Sequence, residues 1–129
     1  MRETPFVKQI RGVLEVAGAF VVKTHGGPIV SGLPDLVICY QGAYIVMEVK
    51  RPDRPRKGTA LQEYTLGQVR DAGGWAGVVN DIQQVHDLLL AWPFVCRYCL
   101  GRLVPLEGGG LWCHACGNNG GHNVYRGDE

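Results

Sequence analysis

The sequence predicts a small α/β domain, a mixed sheet flanked by helices, followed by a compact cysteine-rich module. Two observations carry this. From Thr4 to Trp92, stretches of helical and extended periodicity alternate in the order αβββαβα, with Gly or Pro near most element ends. From Phe94 the periodicity stops, and two Cys-x-x-Cys pairs and a run of glycines take over. The domain boundary is therefore placed at Trp92-Pro93, giving units 1–92 and 93–129.

The first helix is expected from Thr4 to Ala17. Thr4 suits an N-cap and Pro5 the first helical position. Phe6, Ile10, Val13, Leu14 and Ala17 share a face, and Gly18 ends the helix. Phe20–Thr24 reads as a short strand, and 25–33 as a Gly/Pro loop. Leu36–Tyr40 and Tyr44–Lys50 read as strands joined at Gln41-Gly42. Both are apolar on both faces, which predicts helices on each side of the sheet. A second helix spans Ala60–Ala72, with Leu61, Tyr64, Val69 and Ala72 apolar, and Gly73-Gly74 ends it. Trp75–Val79 is a further strand. Asn80 or Asp81 caps a third helix carrying Ile82, Val85, Leu88 and Leu89, which stops before Pro93.

Composition narrows the class. The chain has 129 residues, 46% hydrophobic and 19% charged, which permits a packed core and argues against disorder. The net charge of +1 does not by itself announce a nucleic-acid partner, so any such affinity must come from local clusters. There is no secretory signal near Met1 and no membrane-crossing apolar run, so a cytoplasmic location is expected. Thiols are reduced there, and paired cysteines point to metal before disulfides.

The central hairpin carries the chemistry. With Gln41-Gly42 as a two-residue turn, facing residue numbers sum to 83, and Asp35 lies opposite Glu48. Facing side chains on one sheet face have Cβ atoms roughly 5 Å apart, so two carboxylates there repel unless a hard cation joins them. Lys50 is two residues past Glu48 and shares its face. Taken singly, Pro-Asp is a common turn element and Glu-x-Lys a common ion pair. Together on facing, otherwise apolar strands they need a partner or a metal. Mg²⁺ or Mn²⁺ held there would polarise a phosphoryl oxygen, and Lys50 would orient water or offset charge at phosphorus.

Gly32-Leu33-Pro34-Asp35-Leu36, Met47-Glu48-Val49-Lys50 and Thr59-Ala60-Leu61-Gln62 resemble the successive motifs of the VRR-NUC branch of the PD-(D/E)XK nucleases. The resemblance covers about residues 3 to 90 and implies a restriction-endonuclease-like αβββαβ core. It implies that Asp35 and Glu48 ligate the metal, that the Val49 carbonyl adds a ligand, that Lys50 is the catalytic lysine and that Gln62 supports metal and water. An acidic residue of the first helix would complete the site, with Glu3 the better match and Glu15 the weaker. Glu3 would also suit a helix N-terminus through the dipole alone. The short stand-alone members, typical of phages and bacteria, act on branched DNA such as four-way (Holliday) junctions. This implies a homodimer with two active sites.

Two segments remain. Lys50, Arg51, Arg54, Arg56 and Lys57 crowd one loop, opposed by Asp53. They suit phosphate contacts without sequence readout. His25 in the preceding Gly-rich loop is a further candidate for phosphate contact or an ordinary loop residue. In the cysteine module, Cys96-x-x-Cys99 and Cys113-x-x-Cys116 stand thirteen residues apart. They suit a tetrahedral structural Zn²⁺ in a zinc ribbon, with His114 and His122 as poorer ligands. Cys39 is expected to be a buried, small apolar residue. The leading expectation is a metal-dependent DNA endonuclease. The alternative is a catalytically silent zinc-ribbon DNA-binding module.

Overall fold

The computed structural model describes residues 4–24, 32–113 and 124–125. Helix α1 (Pro5–Val16) is capped by the Thr4 side chain, which accepts from the Val7 N–H at 3.2 Å. Val7, Ile10 and Leu14 recur at helical spacing and are buried. The helix closes as a Schellman turn. Gly18, at φ 97°, donates to the Glu15 carbonyl, and Ala19 donates to that of Leu14.

Strand β1 (Phe20–Lys23) follows, then β2 (Leu36–Tyr40) and β3 (Ala43–Val49). Gln41 and Gly42 both take positive φ, 49° and 83°, as a type I′ hairpin turn requires. The register is the expected one, Leu36 opposite Met47 and Ile38 opposite Ile45, which carries Asp35 to Glu48. Helix α2 (Ala60–Asp71) then crosses over to β4 (Trp75–Val79), which runs parallel to β3. Helix α3 (Ile82–Ala91) starts at Asp81, not Asn80. The sheet order is β1-β2-β3-β4, mixed because the last pair alone is parallel. No helix among the described residues is long and apolar enough to cross a membrane.

The two faces of the sheet are unequally covered. Residues of α1 and α3 pack with Leu36, Ile38, Ile45, Met47 and Val79 into the larger core. On the opposite face, α2 buries Leu66 against Val46, Ala76 and Val78, over β3 and β4. The β1–β2 half of that face has no helix among the described residues. Phe20 is therefore 70% exposed, and Cys39, directly across the ladder from it, is exposed as well. This corrects two expectations, full cover on both faces and a buried Cys39. One twelve-residue helix spans two strands of a sheet, not four.

A second sheet, β5 (Leu103–Pro105), β6 (Leu111–Cys113) and β7 (Val124–Tyr125), is antiparallel in that order. Its small core is Cys96, Leu103 and Cys113. Val95 and Leu100, both beyond Trp92-Pro93, are buried in the larger core instead. The first cysteine turn thus lies on the outer edge of β4. Ala76 donates to the Arg97 carbonyl at 3.0 Å, and the Trp75 indole donates to that of Val95 at 3.0 Å. An open strand edge is covered here by a loop.

Gly77 lets the two come together. A Cβ at that position would stand 2.8 Å from Leu100 Cγ and 3.1 Å from the Cys99 carbonyl carbon. Gly77→Ala is expected to destabilise the fold by roughly 1–3 kcal/mol through overpacking. Gly67, inside α2 with nothing within 4 Å of a Cβ, should go the other way. Gly67→Ala should stabilise by about 0.5–1 kcal/mol through helix propensity. Urea unfolding of both variants decides, and equal shifts of the same sign would contradict the packing described at Gly77.

Candidate active site

The C-terminal end of β3, the start of β2 and the N-terminus of α2 meet on one side of the sheet. Asp35 precedes β2 by one residue, and its carboxylate accepts from the Val49 N–H at 2.7 Å. That bond fixes the side chain toward the strand bearing Glu48. Glu48 is 4% exposed, the one charged side chain buried among the described residues.

Gln62 joins the remaining groups. Its amide nitrogen donates to Glu48 Oε1 at 2.9 Å, and its oxygen accepts from Lys50 Nζ at 2.9 Å. The same oxygen accepts from the Thr59 N–H at 2.8 Å, while the Thr59 hydroxyl accepts from the Gln62 N–H at 3.2 Å. This is a capping box, Thr at the N-cap and Gln three residues on. The amide is therefore oriented twice, once by its own helix end and once by the charges it joins.

Glu48 Oε2 is buried without a hydrogen-bond partner among the described residues. Burial, then the adjacent Asp35 carboxyl, push the Glu48 acid up to about 8 from an ordinary 4.5, against the opposing pull of Lys50. A buried orphan carboxylate oxygen facing a second carboxylate fits a hard divalent cation, which would satisfy the oxygen and offset the repulsion. Asp35 and Glu48 can hold such an ion. Thr4, Phe6, Lys23, Asp35, Val49 and Lys50 share a pocket of about 110 Å³ at this site. The N-terminal end of α1 thus opens onto it.

Several expected residues lie elsewhere or outside the described residues. Glu15 sits in the last turn of α1, more than ten residues and roughly 16 Å of helix from Thr4, and pairs with Arg11 at 3.9 Å. Glu3, His25, His114, Cys116 and His122 lie outside the described residues. In the basic loop, Arg51 pairs with Asp53 on the surface, and Arg54 and Lys57 are exposed. Arg56 differs. Its guanidinium donates to the Val78 carbonyl and to the Cys99 carbonyl, each at 2.6 Å. It is thereby taken up by the protein and has less to offer a phosphate. The signal that could have fixed Gln62 in advance is its place in Thr59-x-x-Gln62. A capping-box residue has its side chain held at the helix start, not waving in solvent.

Cys96, Cys99 and Cys113 present sulfurs within 4.8 Å of one another, a set that could hold a metal ion such as zinc. The Tyr98 N–H points to Cys96 Sγ and the Gly101 N–H to Cys99 Sγ, each at 3.4 Å. The Cys99 thiol is held well above the ordinary thiol range, first by the Cys96 sulfur and then by burial. Crowded thiols resist ionising together without a cation, and a metal ion supplies one.

No family model matches the chain, and no curated protein matches it. A solved structure described as a VRR_NUC domain is similar, with a TM-score of 0.56 and 27% sequence identity. The match covers 66% of this chain and 90% of that one. This likeness supports placing the chain in the VRR-NUC family, with its nuclease-domain fold.

Glu48 gives a pH prediction. Its folded value of about 8 exceeds the ordinary 4.5, so the native state holds the extra proton across that window. The stability this contributes is full below the lower value and is lost as pH rises through the upper one. Without added divalent cation, the wild type should weaken over that range relative to Glu48→Gln, which keeps the neutral form throughout. Urea midpoints that run parallel across pH would refute the buried-acid assignment.

Proposed function

We propose that this chain is a metal-dependent DNA endonuclease acting on branched DNA such as four-way junctions, as a homodimer. The observation that carries the reading is the Gln62 amide, which joins Lys50 to Glu48 while one buried Glu48 oxygen beside Asp35 has no partner among the described residues. A structural ion pair would have placed Lys50 directly on the carboxylate. Here the ammonium is held back by a neutral amide, leaving the carboxylates for a cation. Similarity to a VRR_NUC domain points the same way.

Asp35 and Glu48 would hold Mg²⁺ or Mn²⁺, with the Val49 carbonyl and Glu3 as further ligands. Bound there, the ion supplies polarisation of a phosphoryl oxygen and a more acidic water. Lys50 presents an ammonium on the same face, where it can orient the attacking water and offset charge at phosphorus. Gln62 keeps that ammonium at a fixed distance from Glu48, so the positioning is complete before substrate arrives. Arg51, Arg54, Lys57 and His25 would meet phosphates flanking the scissile bond. Such contacts fix orientation and carry no base readout, in keeping with recognition of a DNA shape. Zinc on Cys96, Cys99, Cys113 and Cys116 would be structural, because four thiolates leave no open position.

Labelled linear, flap, splayed and four-way-junction DNA should be offered to wild type and Lys50→Ala with Mg²⁺, Mn²⁺ or EDTA. The expected result is metal-dependent cutting, with paired incisions on junctions, reduced by about 10²-fold or more in the variant. Folded protein that binds DNA and cuts none of these substrates would reject the nuclease reading in favour of a silent binding module.

The loop gives a separate expectation. Neutralising Arg54 and Lys57 together should reduce the slope of log affinity against log salt by about 0.9 for each phosphate that these cations no longer neutralise. Arg56→Ala should leave that slope nearly unchanged, since its guanidinium is engaged on carbonyls. A flattened slope in Arg56→Ala alone would reverse this division of labour.

A further inference from the structure

We infer that Arg56 is a positioning residue which ties the first cysteine turn to the segment between Lys50 and Gln62, so that metal held by the cysteines helps set the active-site geometry. The inference rests on the nuclease reading for its functional consequence, but not for its structural content.

The cysteine turn has two sides. Its N–H groups at Tyr98 and Gly101 aim at the Cys96 and Cys99 sulfurs. Its carbonyls aim away from the sulfurs, at the first sheet and its arginines. The Arg97 carbonyl accepts from the Ala76 N–H at 3.0 Å, and the Tyr98 carbonyl accepts from Arg70 at 2.6 Å. The Cys99 carbonyl accepts from Arg56 at 2.6 Å. Three successive carbonyls are therefore taken by the α/β unit. Charge-assisted bonds of this length are the stronger kind, and their direction requires the turn to keep its shape. A metal ion on the sulfurs stabilises that shape from the other side.

Arg56 has a particular place in this arrangement. It stands in the connection that leaves Lys50 and enters α2 at Thr59, whose partner in the capping box is Gln62. Residues 51–55 of this connection are exposed. Among the described residues its long-range side-chain anchors are few. The Asn80 amide donates to the Arg54 carbonyl at 2.9 Å, and Arg56 binds Val78 and Cys99. Arg70, the other arginine on the turn, lies in the last turn of α2 and also binds the Ala76 carbonyl at 3.0 Å. Helix α2 is thus linked to the cysteine turn at its far end directly, and near its start through the loop. Arg56 fixes the stretch of chain on which the spacing of Lys50 from Gln62 depends.

Lysine cannot reproduce the link, because an ammonium lacks the planar fork that reaches two carbonyls at once. The test uses the zinc-loaded full chain as wild type, Arg56→Lys and Arg56→Ala. Hydrogen exchange is followed by mass spectrometry, with zinc content and melting temperature as controls. Peptides covering residues 51–59 should exchange about tenfold faster in both variants, while β2 and β3 stay protected and zinc stays bound. If the chain cuts DNA, kcat should fall with KM little changed, and the salt dependence of binding should not move. Unaltered exchange over residues 51–59 in folded, zinc-loaded Arg56→Ala overturns the inference whether or not the chain is a nuclease. So does full exchange protection in Arg56→Lys. Altered exchange with no cutting by the wild type would leave the link standing and reject the nuclease reading instead.

Discussion

The fold is arranged around an unfavourable fact, a buried carboxyl group with one oxygen unsatisfied among the described residues. Glu48 stands on the central strand pair, where β3 is flanked by β2 on one side and β4 on the other. A polar oxygen in such a place costs free energy unless it is protonated or bound. The protein offers Glu48 one amide donor from Gln62 and a second carboxyl for a neighbour. Neither removes the cost, and together they narrow what can. A proton below about pH 8, or a divalent cation that displaces it, satisfies both carboxyls at once. A monovalent side-chain cation is held off by the Gln62 amide, which occupies Lys50 instead.

Much of this is legible in the chain, for reasons that differ between residues. The hairpin register follows from a two-residue turn whose central residues must both take positive φ, and it alone brings Asp35 to Glu48. The αβββαβα order follows from periodicity, and the ends of α1 and α2 from glycines that tolerate the left-handed conformation. What periodicity cannot give is the breadth of cover on the sheet. An apolar strand reads the same whether one helix or two lie over it, so Cys39 reads as interior and is exposed. Arg56 escapes a sequence reading for a related reason. A basic loop looks uniform in sequence, and only the proximity of Val78 and Cys99 separates one arginine from its neighbours.

The outer edge of β4 shows how the two sheets are joined without a shared strand. Parallel pairing with β3 leaves every second peptide group of β4 facing outward. Ala76 gives its N–H to the cysteine turn and its carbonyl to Arg70, and Val78 gives its carbonyl to Arg56. Leu100 then fills the space above Gly77, although its own backbone lies at φ 65°. A left-handed leucine is costly, and its burial in the larger core offsets that cost. The cysteine module is thereby anchored by apolar packing as well as by polar bonds, so its removal would uncover the core of the first sheet.

The exposed thiol of Cys39 has a practical side. Among the described cysteines, Cys96 and Cys113 are buried and Cys99 is partly so, all three gathered in one cluster, while Cys39 stands alone on an uncovered strand. When a metal occupies the cluster, those sulfurs are withdrawn from alkylating reagents and Cys39 is not. The chain thus carries its own chemical reporter. A maleimide dye would mark one place on the open half of the sheet, and the number of dyes accepted would gauge how much of the protein had lost its metal. The same dye, on the face from which Asp35 and Glu48 also project, would sense anything that comes to rest there.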